Sequence, residues 1–198
     1  MDFHTLVTET RTCRRFNQKE LSSSVLTELV DTARIVSSAR NAQILRYVII
    51  QDKDLRKKME QAYVLGGALA PEERPKKGVD DPTAYIILLA PQETNQFGIM
   101  DIGIAAQTIQ LAATEKGYAT CIIGAFKKNV VLDLLQEEHI DLQGETLVPY
   151  LVLALGYAGE QRQLGKVGED GITSYYHDEN GTNIVPKRDL KEVLLLQK

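Results

Sequence analysis

A short basic segment near the amino terminus carries the side chains best suited to chemistry. Three guanidinium groups and two hydroxyls fall within six consecutive residues of a chain whose formal net charge is -4. Guanidinium groups bind phosphate oxygens in a fixed fork, and threonine hydroxyls add neutral donors beside them. This composition favours a phosphate-binding turn, with a solvated basic turn between two helices as the alternative. The segment, called the arginine turn below, reads Thr10, Arg11, Thr12, Cys13, Arg14, Arg15 and Phe16.

Two further polar stretches extend this prediction. Residues 38–43 form a polar loop that runs into a predicted strand at 46–51, and loops at strand edges commonly contact ligands. Pro186, Lys187 and Arg188 are predicted to begin the last helix. Two cations beside the free N–H groups of a helix N-terminus suit an anion. Together with the arginine turn, these stretches would form a cradle for one phosphorylated cofactor.

Several common catalytic and binding motifs are absent from the sequence. No Gly-x-Gly-x-x-Gly follows a strand, and no Gly-Lys-Ser/Thr loop marks a nucleoside triphosphatase. The histidines, His4, His139 and His177, lack metal-ligand spacing, so we predict that they lie on the surface and that the chain holds no metal. Cys13 and Cys121 fit neither a metal site nor a disulfide framework. They are predicted to be small buried apolar side chains.

The bulk properties predict a soluble, cytoplasmic protein with a single domain over residues 1–198. The chain is 43% hydrophobic and 25% charged, which are ordinary values for a globular domain. The residues from Met1 onwards lack the basic and apolar regions of a signal peptide, and no apolar run reaches the roughly 18 residues that span a membrane. The acidic balance, with a pI of about 5.5, argues against nucleic acid as a partner.

Hydrophobic periodicity predicts a succession of helices and strands. Residues 83–90 are nearly all apolar, which predicts a central strand. Asn180 followed by Gly181 predicts a hairpin turn near the carboxy terminus. Residues 64–82 and 157–170 are predicted as loops, the first as a cover over a site. The other predicted elements are helices at 2–9, 24–36, 53–63, 98–116 and 127–137 and strands at 118–124 and 149–156.

The helix predicted at 98–116 is apolar over most of its circumference. Such a helix requires burial on nearly all sides, and the core of one small domain rarely encloses a helix of this length completely. We therefore expect part of its surface to meet a second subunit. The succession of elements predicts an α+β or mixed α/β domain.

Four segments, in this order along the chain, resemble the FMN-dependent nitroreductase family. The arginine turn is similar to that family's arginine-rich signature, and residues 38–43 are similar to its second flavin-contacting loop. The predicted long helix resembles the family's central dimer helix, and residues 185–188 resemble its carboxy-terminal basic element. The resemblance implies an α+β, nitroreductase-like fold with a central, mainly antiparallel sheet flanked by helices. It also implies a homodimer with FMN at the subunit interface and a carboxy-terminal arm, residues 172–198, that extends to the partner.

The resemblance also implies roles for individual residues. Arg11, Thr12, Lys187 and Arg188 would hold the FMN phosphate and ribityl chain. Arg14 would lie near the N1 and C2 carbonyl edge of the ring, where a positive charge stabilises the reduced, anionic flavin.

The remaining implied contacts line the flavin ring. Ile123 and Gly124 would pass the flavin N5. Many members have a glutamate in place of Gly124, so a backbone N–H would be the donor here. The opposite subunit would contribute Ser38, Arg40, Asn41 and Gln43.

The activity that the resemblance implies is oxidoreduction. NADH or NADPH would reduce FMN, and an electron-poor small molecule such as a nitroaromatic or a quinone would then be reduced by a ping-pong mechanism. No catalytic acid or base is assigned, because the cofactor performs the chemistry. Two alternatives stay open: a non-catalytic flavin- or nucleotide-binding sensor or carrier, and a polyanion-binding module, which the acidic balance disfavours.

Overall fold

The computed structural model describes residues 1–142 and 144–198, which form two sheets and the helices around them. The helices are α1 (Phe3–Glu9), α2 (Ser23–Arg34), α3 (Lys53–Met59), α4 (Gln96–Glu115), α5 (Lys128–Glu137) and α6 (Leu190–Val193). The strands are β1 (Phe16–Asn17), β2 (Arg46–Ile50), β3 (Ala84–Pro91), β4 (Ala119–Ile123), β5 (Leu147–Ala158), β6 (Arg162–Lys166), β7 (Tyr176–His177) and β8 (Asn183–Lys187).

The larger sheet has the strand order β2-β3-β5-β4, and each of these neighbouring strands pairs in antiparallel fashion. β1 pairs with the end of β5, where Phe16 lies opposite Ala158. β3 lies between β5 and β2 and is buried from Ala84 to Ala90. The prediction of a central strand at 83–90 is therefore confirmed.

Two apolar layers cover the faces of this sheet, because successive residues along β3 point to opposite sides. On one side, Ile86 belongs to a cluster with Leu29 of α2 and Ile109 of α4. On the other side, Ile87 belongs to a cluster with Leu134 of α5. Helices thus flank a mainly antiparallel sheet, and the predicted α+β class is confirmed. Within residues 1–142 and 144–198, no helix has both the length and the apolar character needed to cross a membrane.

The long helix α4 is buried along one side only. It begins at Gln96, slightly earlier than predicted, because the Asn95 side chain caps it by accepting hydrogen bonds from the backbone N–H groups of the first turn. The expectation of burial on nearly all sides is not met within one chain. Contact with a second subunit stays a prediction. The large apolar side chains that α4 exposes are Phe97, Ile99, Met100 and Ile104.

The smaller sheet follows β5 and has the strand order β6-β8-β7. The predicted hairpin turn is confirmed, because β7 and β8 are antiparallel and Gly181 takes a φ of 77°, which suits glycine. The loop predicted at 157–170 is wrong in part. β6 lies within it and pairs in parallel with β8, with Arg162 opposite Asn183.

The predicted start of the last helix is also wrong. Pro186 and Lys187 lie in β8, because pairing with β6 keeps the chain extended through this point. α6 begins only after Asp189, which forms a capping box with Glu192, and it is four residues long. The helix N-terminus expected beside Lys187 is therefore not present there.

Ile86 and Ile49 provide a test of how the sheet is stabilised, since they are register partners on β3 and β2. Ile86 is fully buried, whereas Ile49 is 37% exposed. Ile86→Ala should lower the free energy of unfolding by about 2–5 kcal/mol, because it leaves a cavity in the core. Ile49→Ala should cost clearly less. Urea unfolding followed by circular dichroism measures both, and equal losses would contradict the central position of β3.

Candidate functional site

The arginine turn lies against the outer side of β4. Thr12 forms a parallel bridge with Thr120, and the Cys13 backbone N–H donates to the Thr120 carbonyl oxygen at 2.8 Å. Phe16, the last residue of the turn, is buried in the core. The turn is thus fixed at both ends by the sheet, which leaves its basic side chains at the sheet edge.

A buried carboxylate fixes the middle of the turn. The Glu160 side chain is 3% exposed and its Oε1 accepts hydrogen bonds from the backbone N–H groups of Arg14, at 2.6 Å, and Arg15, at 3.3 Å. Its other oxygen, Oε2, lies 3.3 Å from His177 Nε2 on β7. The surface position predicted for His177 is wrong, since its side chain is only 10% exposed in contact with this carboxylate.

The Arg15 guanidinium is fully engaged in structural contacts. It donates to the Glu73 carbonyl oxygen at 2.6 Å, and it lies 3.9 Å from an Asp80 carboxylate oxygen and 3.7 Å from Glu160 Oε2. These contacts attach the irregular segment 64–82 to the turn. Arg15 therefore holds the turn in place and is not free for a ligand.

Arg11 and Arg14 have no carboxylate partner in an ion pair among the described residues. Arg11 donates one guanidinium hydrogen bond to the Val7 carbonyl oxygen, while its Nε is buried with no partner. Burial also lowers the pKa of Arg11 from its ordinary value. The Arg14 guanidinium lies 3.8 Å from the centre of the Tyr175 ring, a cation–π contact that orients it. Both side chains are thus held in place with hydrogen-bonding capacity unused.

The side chains of the two cysteines, Cys13 of the turn and Cys121 of β4, lie in the core, as predicted. Both are free and buried. Burial raises the pKa of the Cys13 thiol to about 11 and that of Cys121 to about 12. At neutral pH neither forms a thiolate, so neither is a nucleophile.

β4 connects the arginine turn to the segment predicted to pass the flavin N5. Thr12 bridges to Thr120 near the beginning of β4, and Gly124 follows directly after its last residue, Ile123. Four residues of extended chain cover about 13 Å. Ile123 is buried, and Gly124 is exposed, with the Leu151 side chain 3.6 Å from where a Cβ would lie. The edge of β4 therefore has basic side chains near Thr120 and an exposed backbone at Gly124, joined by extended chain.

Residues 38–43 form a strained loop before β2. Arg40, Asn41 and Gln43 take φ values of 54°, 53° and 49°, in the left-handed region that residues other than glycine seldom adopt. The buried Asp101 of α4 holds this loop, because both of its carboxylate oxygens accept from the Ala39 backbone N–H, at 3.0 and 3.2 Å. Strain of this kind persists where surrounding contacts enforce it, and it concentrates at functional sites.

The loop borders a cavity of about 490 Å³. Ala39, Arg40 and Asp101 line one side of it, and Phe97 and Gly98 of α4 line another. Ser38 is half-buried, and its hydroxyl accepts from the Gln43 backbone N–H at 3.4 Å. Arg40 and Asn41 are exposed, so their side chains are available to a ligand or a partner.

The two halves of the predicted cofactor site lie at opposite edges of the large sheet. The arginine turn is beside β4, and the loop 38–43 leads into β2. β3 and β5 separate these edges, so three inter-strand spacings, about 14 Å in total, lie between them. One chain does not bring these two halves together.

Lys187 lies in the smaller sheet, and Arg188 follows directly after it. Lys187 ends β8 opposite Lys166, and Arg188 forms an ion pair with Glu192 at 3.6 Å. Both are exposed. Within the described chain, no hydrogen bond or ion pair joins either of them to the turn, so their assignment to the phosphate stays a prediction.

The geometry described so far agrees with one known family. A family model described as the nitroreductase family matches residues 7–157. The chain belongs to the nitroreductase family. A protein from Archaeoglobus fulgidus with the provisional name NADH dehydrogenase/NAD(P)H nitroreductase is 23% identical over 158 residues, which cover 77% of this chain and 83% of that protein. The resemblance inferred from the four segments is thereby confirmed.

Solved structures of nitroreductases share the fold. A provisionally named nitroreductase from Desulfovibrio desulfuricans, solved in complex with FMN, is similar with a TM-score of 0.65 at 18% identity, covering 98% of this chain and 96% of its own. An FMN-dependent nitroreductase from Mycobacterium smegmatis, solved in complex with NADPH, has a TM-score of 0.60 at 19% identity, covering 79% of this chain and 87% of its own.

Four polar residues that support the site were not identified as such from the sequence. Glu160, Arg162 and His177 come together only through the pairing of β6, β7 and β8, and residues 162–166 show no apolar alternation that would have predicted a strand. Asp101 was recognised as part of the long helix, but its contact with a distant loop has no local signal.

The contact between Asp101 and Ala39 predicts how the loop 38–43 responds to mutation. Asp101→Ala should release the loop, because the Ala39 backbone N–H, next to the left-handed residues Arg40 and Asn41, loses its acceptor. Trypsin cleavage after Arg40 should become faster by about tenfold, in line with about 1–1.5 kcal/mol for the lost hydrogen bond.

Asp101→Asn provides the control for this experiment, since it keeps one carbonyl oxygen to accept from Ala39. Its cleavage rate should stay near that of the unmodified protein. Mass spectrometry of the limited digest identifies the cut after Arg40. Equal protection in all three proteins would show that Asp101 does not hold the loop.

Proposed function

We propose that this protein is an FMN-dependent oxidoreductase that receives electrons from NADH or NADPH and delivers them to electron-poor small molecules such as nitroaromatics or quinones. The observation that carries the proposal is the edge of β4, where Arg11, Thr12 and Arg14 lie at one end and the open Gly124 lies at the other. Membership of the nitroreductase family supports the same activity.

The residues at this edge fit a flavin mononucleotide. The buried Arg11 Nε has no partner, and a buried donor of this kind costs free energy unless a ligand satisfies it. A phosphate beside Arg11 and the Thr12 hydroxyl would supply acceptor oxygens. From there, the length of β4 carries the ribityl chain to a ring beside Ile123 and Gly124. When bound, FMN supplies the redox chemistry.

The protein would contribute a positive charge beside the flavin ring and an exposed position beside N5. Arg14, oriented by the Tyr175 ring, would place its guanidinium at the pyrimidine edge of the flavin, where it favours the reduced, anionic form. Gly124 carries no side chain, so it leaves the region beside N5 open to a donor or an acceptor and offers only its backbone N–H. One exposed flavin face beside Gly124 would fit a ping-pong mechanism, in which the nicotinamide leaves before the acceptor enters.

A homodimer would complete the site. The loop 38–43 and the arginine turn lie on opposite edges of one sheet, so Ser38, Arg40, Asn41 and Gln43 can reach a flavin on β4 only from a second chain. α4 adjoins this loop through the buried Asp101, and its exposed apolar side would give the two chains a surface on which to associate.

A flavin-binding sensor or carrier is the second candidate function. It is favoured by the absence of a side chain at Gly124, which leaves only backbone atoms of that residue beside the predicted N5 position. Turnover distinguishes the two functions. An enzyme reduces menadione or a nitrofuran continuously at the expense of NADH or NADPH, whereas a carrier accepts electrons once and does not turn over.

The purified protein should contain FMN or take it up, and anaerobic NADH or NADPH should bleach the flavin absorbance band. Arg11→Ala should weaken FMN binding by about tenfold or more, because it removes a charged donor to the phosphate. Arg34→Ala is the matched control, since Arg34 is exposed on α2 and forms an ion pair with Asp31. Protein that stays colourless and does not take up added FMN would refute the proposal.

The dimer proposal predicts that a charge on the exposed side of α4 separates the subunits. Met100 is 60% exposed in one chain, and Met100→Asp should shift the protein from dimer to monomer because the carboxylate would be buried at the interface. Light scattering after size-exclusion chromatography measures the mass. Val64→Asp is the control, since Val64 is 65% exposed in a segment away from α4. A monomeric unmodified protein would exclude the composite site.

A further inference from the structure

The imidazole of His177 lies between a guanidinium and the buried carboxylate of Glu160. Its Nε2 atom is 3.3 Å from Glu160 Oε2 and 3.1 Å from Arg15 Nη1. A carboxylate oxygen only accepts hydrogen bonds, and a guanidinium nitrogen only donates them. Nε2 carries either a hydrogen or a lone pair, so it can satisfy only one of these two neighbours.

The burial of the two neighbours decides which of them Nε2 satisfies. The Glu160 side chain is 3% exposed, and Arg15 Nη1 lies 3.7 Å from its Oε2, which is longer than a hydrogen bond. The Arg15 side chain is 24% exposed and has other acceptors, the Glu73 carbonyl oxygen and the Asp80 carboxylate. A buried carboxylate oxygen without a donor costs more than a guanidinium nitrogen that water can reach. The hydrogen is therefore on Nε2, which donates it to Glu160.

The other ring nitrogen does not explain why a histidine stands at this position. Nδ1 is buried and has no hydrogen-bond partner among the described residues. The register partner of His177 on β8 is Asn183, and Asn183 Oδ1 is likewise buried without a partner in that part of the chain. A buried polar atom without a partner costs free energy. The hydrogen bond from Nε2 to Glu160 is the contact that offsets this cost.

Glu160 transmits this contact to the arginine turn. Its Oε1 accepts from the backbone N–H groups of Arg14 and Arg15, at 2.6 and 3.3 Å. If Oε2 lost its donor, the carboxylate would rotate towards another donor or towards water, and Oε1 would move with it. The backbone that carries Arg14 would then lose its fixed position.

We infer that His177 is a positioning residue of the proposed flavin site and acts as a hydrogen-bond donor from Nε2 to Glu160. His177 lies on β7, beyond the residues 7–157 that the family model matches, so this support comes from the carboxy-terminal part of the chain. It acts through Glu160, which holds the backbone of Arg14, and not by contact with the flavin. The inference rests on the proposed function for its ligand, FMN.

Two amide variants separate the Nε2 donor from other roles of the side chain. In His177→Gln, the amide nitrogen lies at nearly the same distance from the backbone as imidazole Nε2, so it can donate to Glu160. In His177→Asn, the amide lies at the position of Nδ1 and does not reach Glu160. Both new side chains are polar and uncharged, so a general need for a polar side chain would not distinguish the two variants.

Quenching of flavin fluorescence gives the dissociation constant of FMN for each apoprotein. His177→Asn should weaken FMN binding by about tenfold, which corresponds to one lost hydrogen bond to a charged group, whereas His177→Gln should stay within about twofold of the unmodified protein. His4→Asn is the matched control, since His4 is an exposed histidine on α1, and it should leave the constant unchanged. Equal weakening by both His177 variants, or no weakening by either, would overturn the inference.

Nuclear magnetic resonance tests the same contacts without flavin. The chain has three histidines, so the set of ring signals that is lost in His177→Gln assigns His177. At mildly alkaline pH its ring should carry the hydrogen on Nε2, and a lone pair there would contradict the inference. The Arg14 amide proton should shift in His177→Asn and stay in place in His177→Gln. Protein that shows these signals but binds no FMN would instead refute the proposed function.

Discussion

The backbone of the arginine turn depends on one buried carboxylate. Glu160 is almost completely removed from solvent, and it is tolerated there because two backbone N–H groups, a guanidinium and an imidazole surround it. A buried charge of this kind is stable only when its hydrogen-bonding capacity is filled. The arrangement leaves Arg11 and Arg14 free, since Arg15 alone is used to balance the charge. The position of Glu160 therefore explains why Arg15 forms a structural contact while Arg11 and Arg14 do not pair with a carboxylate.

The width of the large sheet separates the loop 38–43 from the arginine turn. The loop 38–43 and the arginine turn lie at opposite edges of four strands, about 14 Å apart, so they do not meet within one chain. The same four strands bury the core on both faces, so the sheet cannot be narrowed to bring the edges closer. The four strands that stabilise the fold therefore also separate the loop 38–43 from the arginine turn. The exposed apolar side of α4 is consistent with this, because its side chains lack a partner within one chain.

The sequence predicted those parts of the fold that depend on local patterns. The apolar run at 83–90 and the Asn-Gly turn were identified because burial on both faces and left-handed backbone each leave a local signature. β6 was missed because residues 162–166 have no alternation, and Pro186 was misplaced because its strand conformation depends on β6. His177 was predicted at the surface for the same reason. Pairing between strands that are distant in the sequence determines each of these positions. The local pattern of one sequence does not show which strands pair.

In the candidate site, too, the local sequence indicated the basic side chains but not the distant residues that contact them. Arg11 and Arg14 were predicted from a dense cluster of cations, and the structure places them at an open edge with unused donors. The residues that hold them, Glu160 and Tyr175, are separated from them by most of the chain. The cluster of cations could therefore be recognised from composition, whereas the contacts that support it required the folded chain.

The contact between Glu160 and the arginine turn also determines when, during synthesis, the turn can fold. Residues 10–16 are made well before their neighbours on β4 and β5 and before Glu160. The turn therefore cannot take up its folded backbone arrangement until Glu160 has been translated. A chain that ended before Glu160 would carry the same arginines without the carboxylate that fixes their backbone.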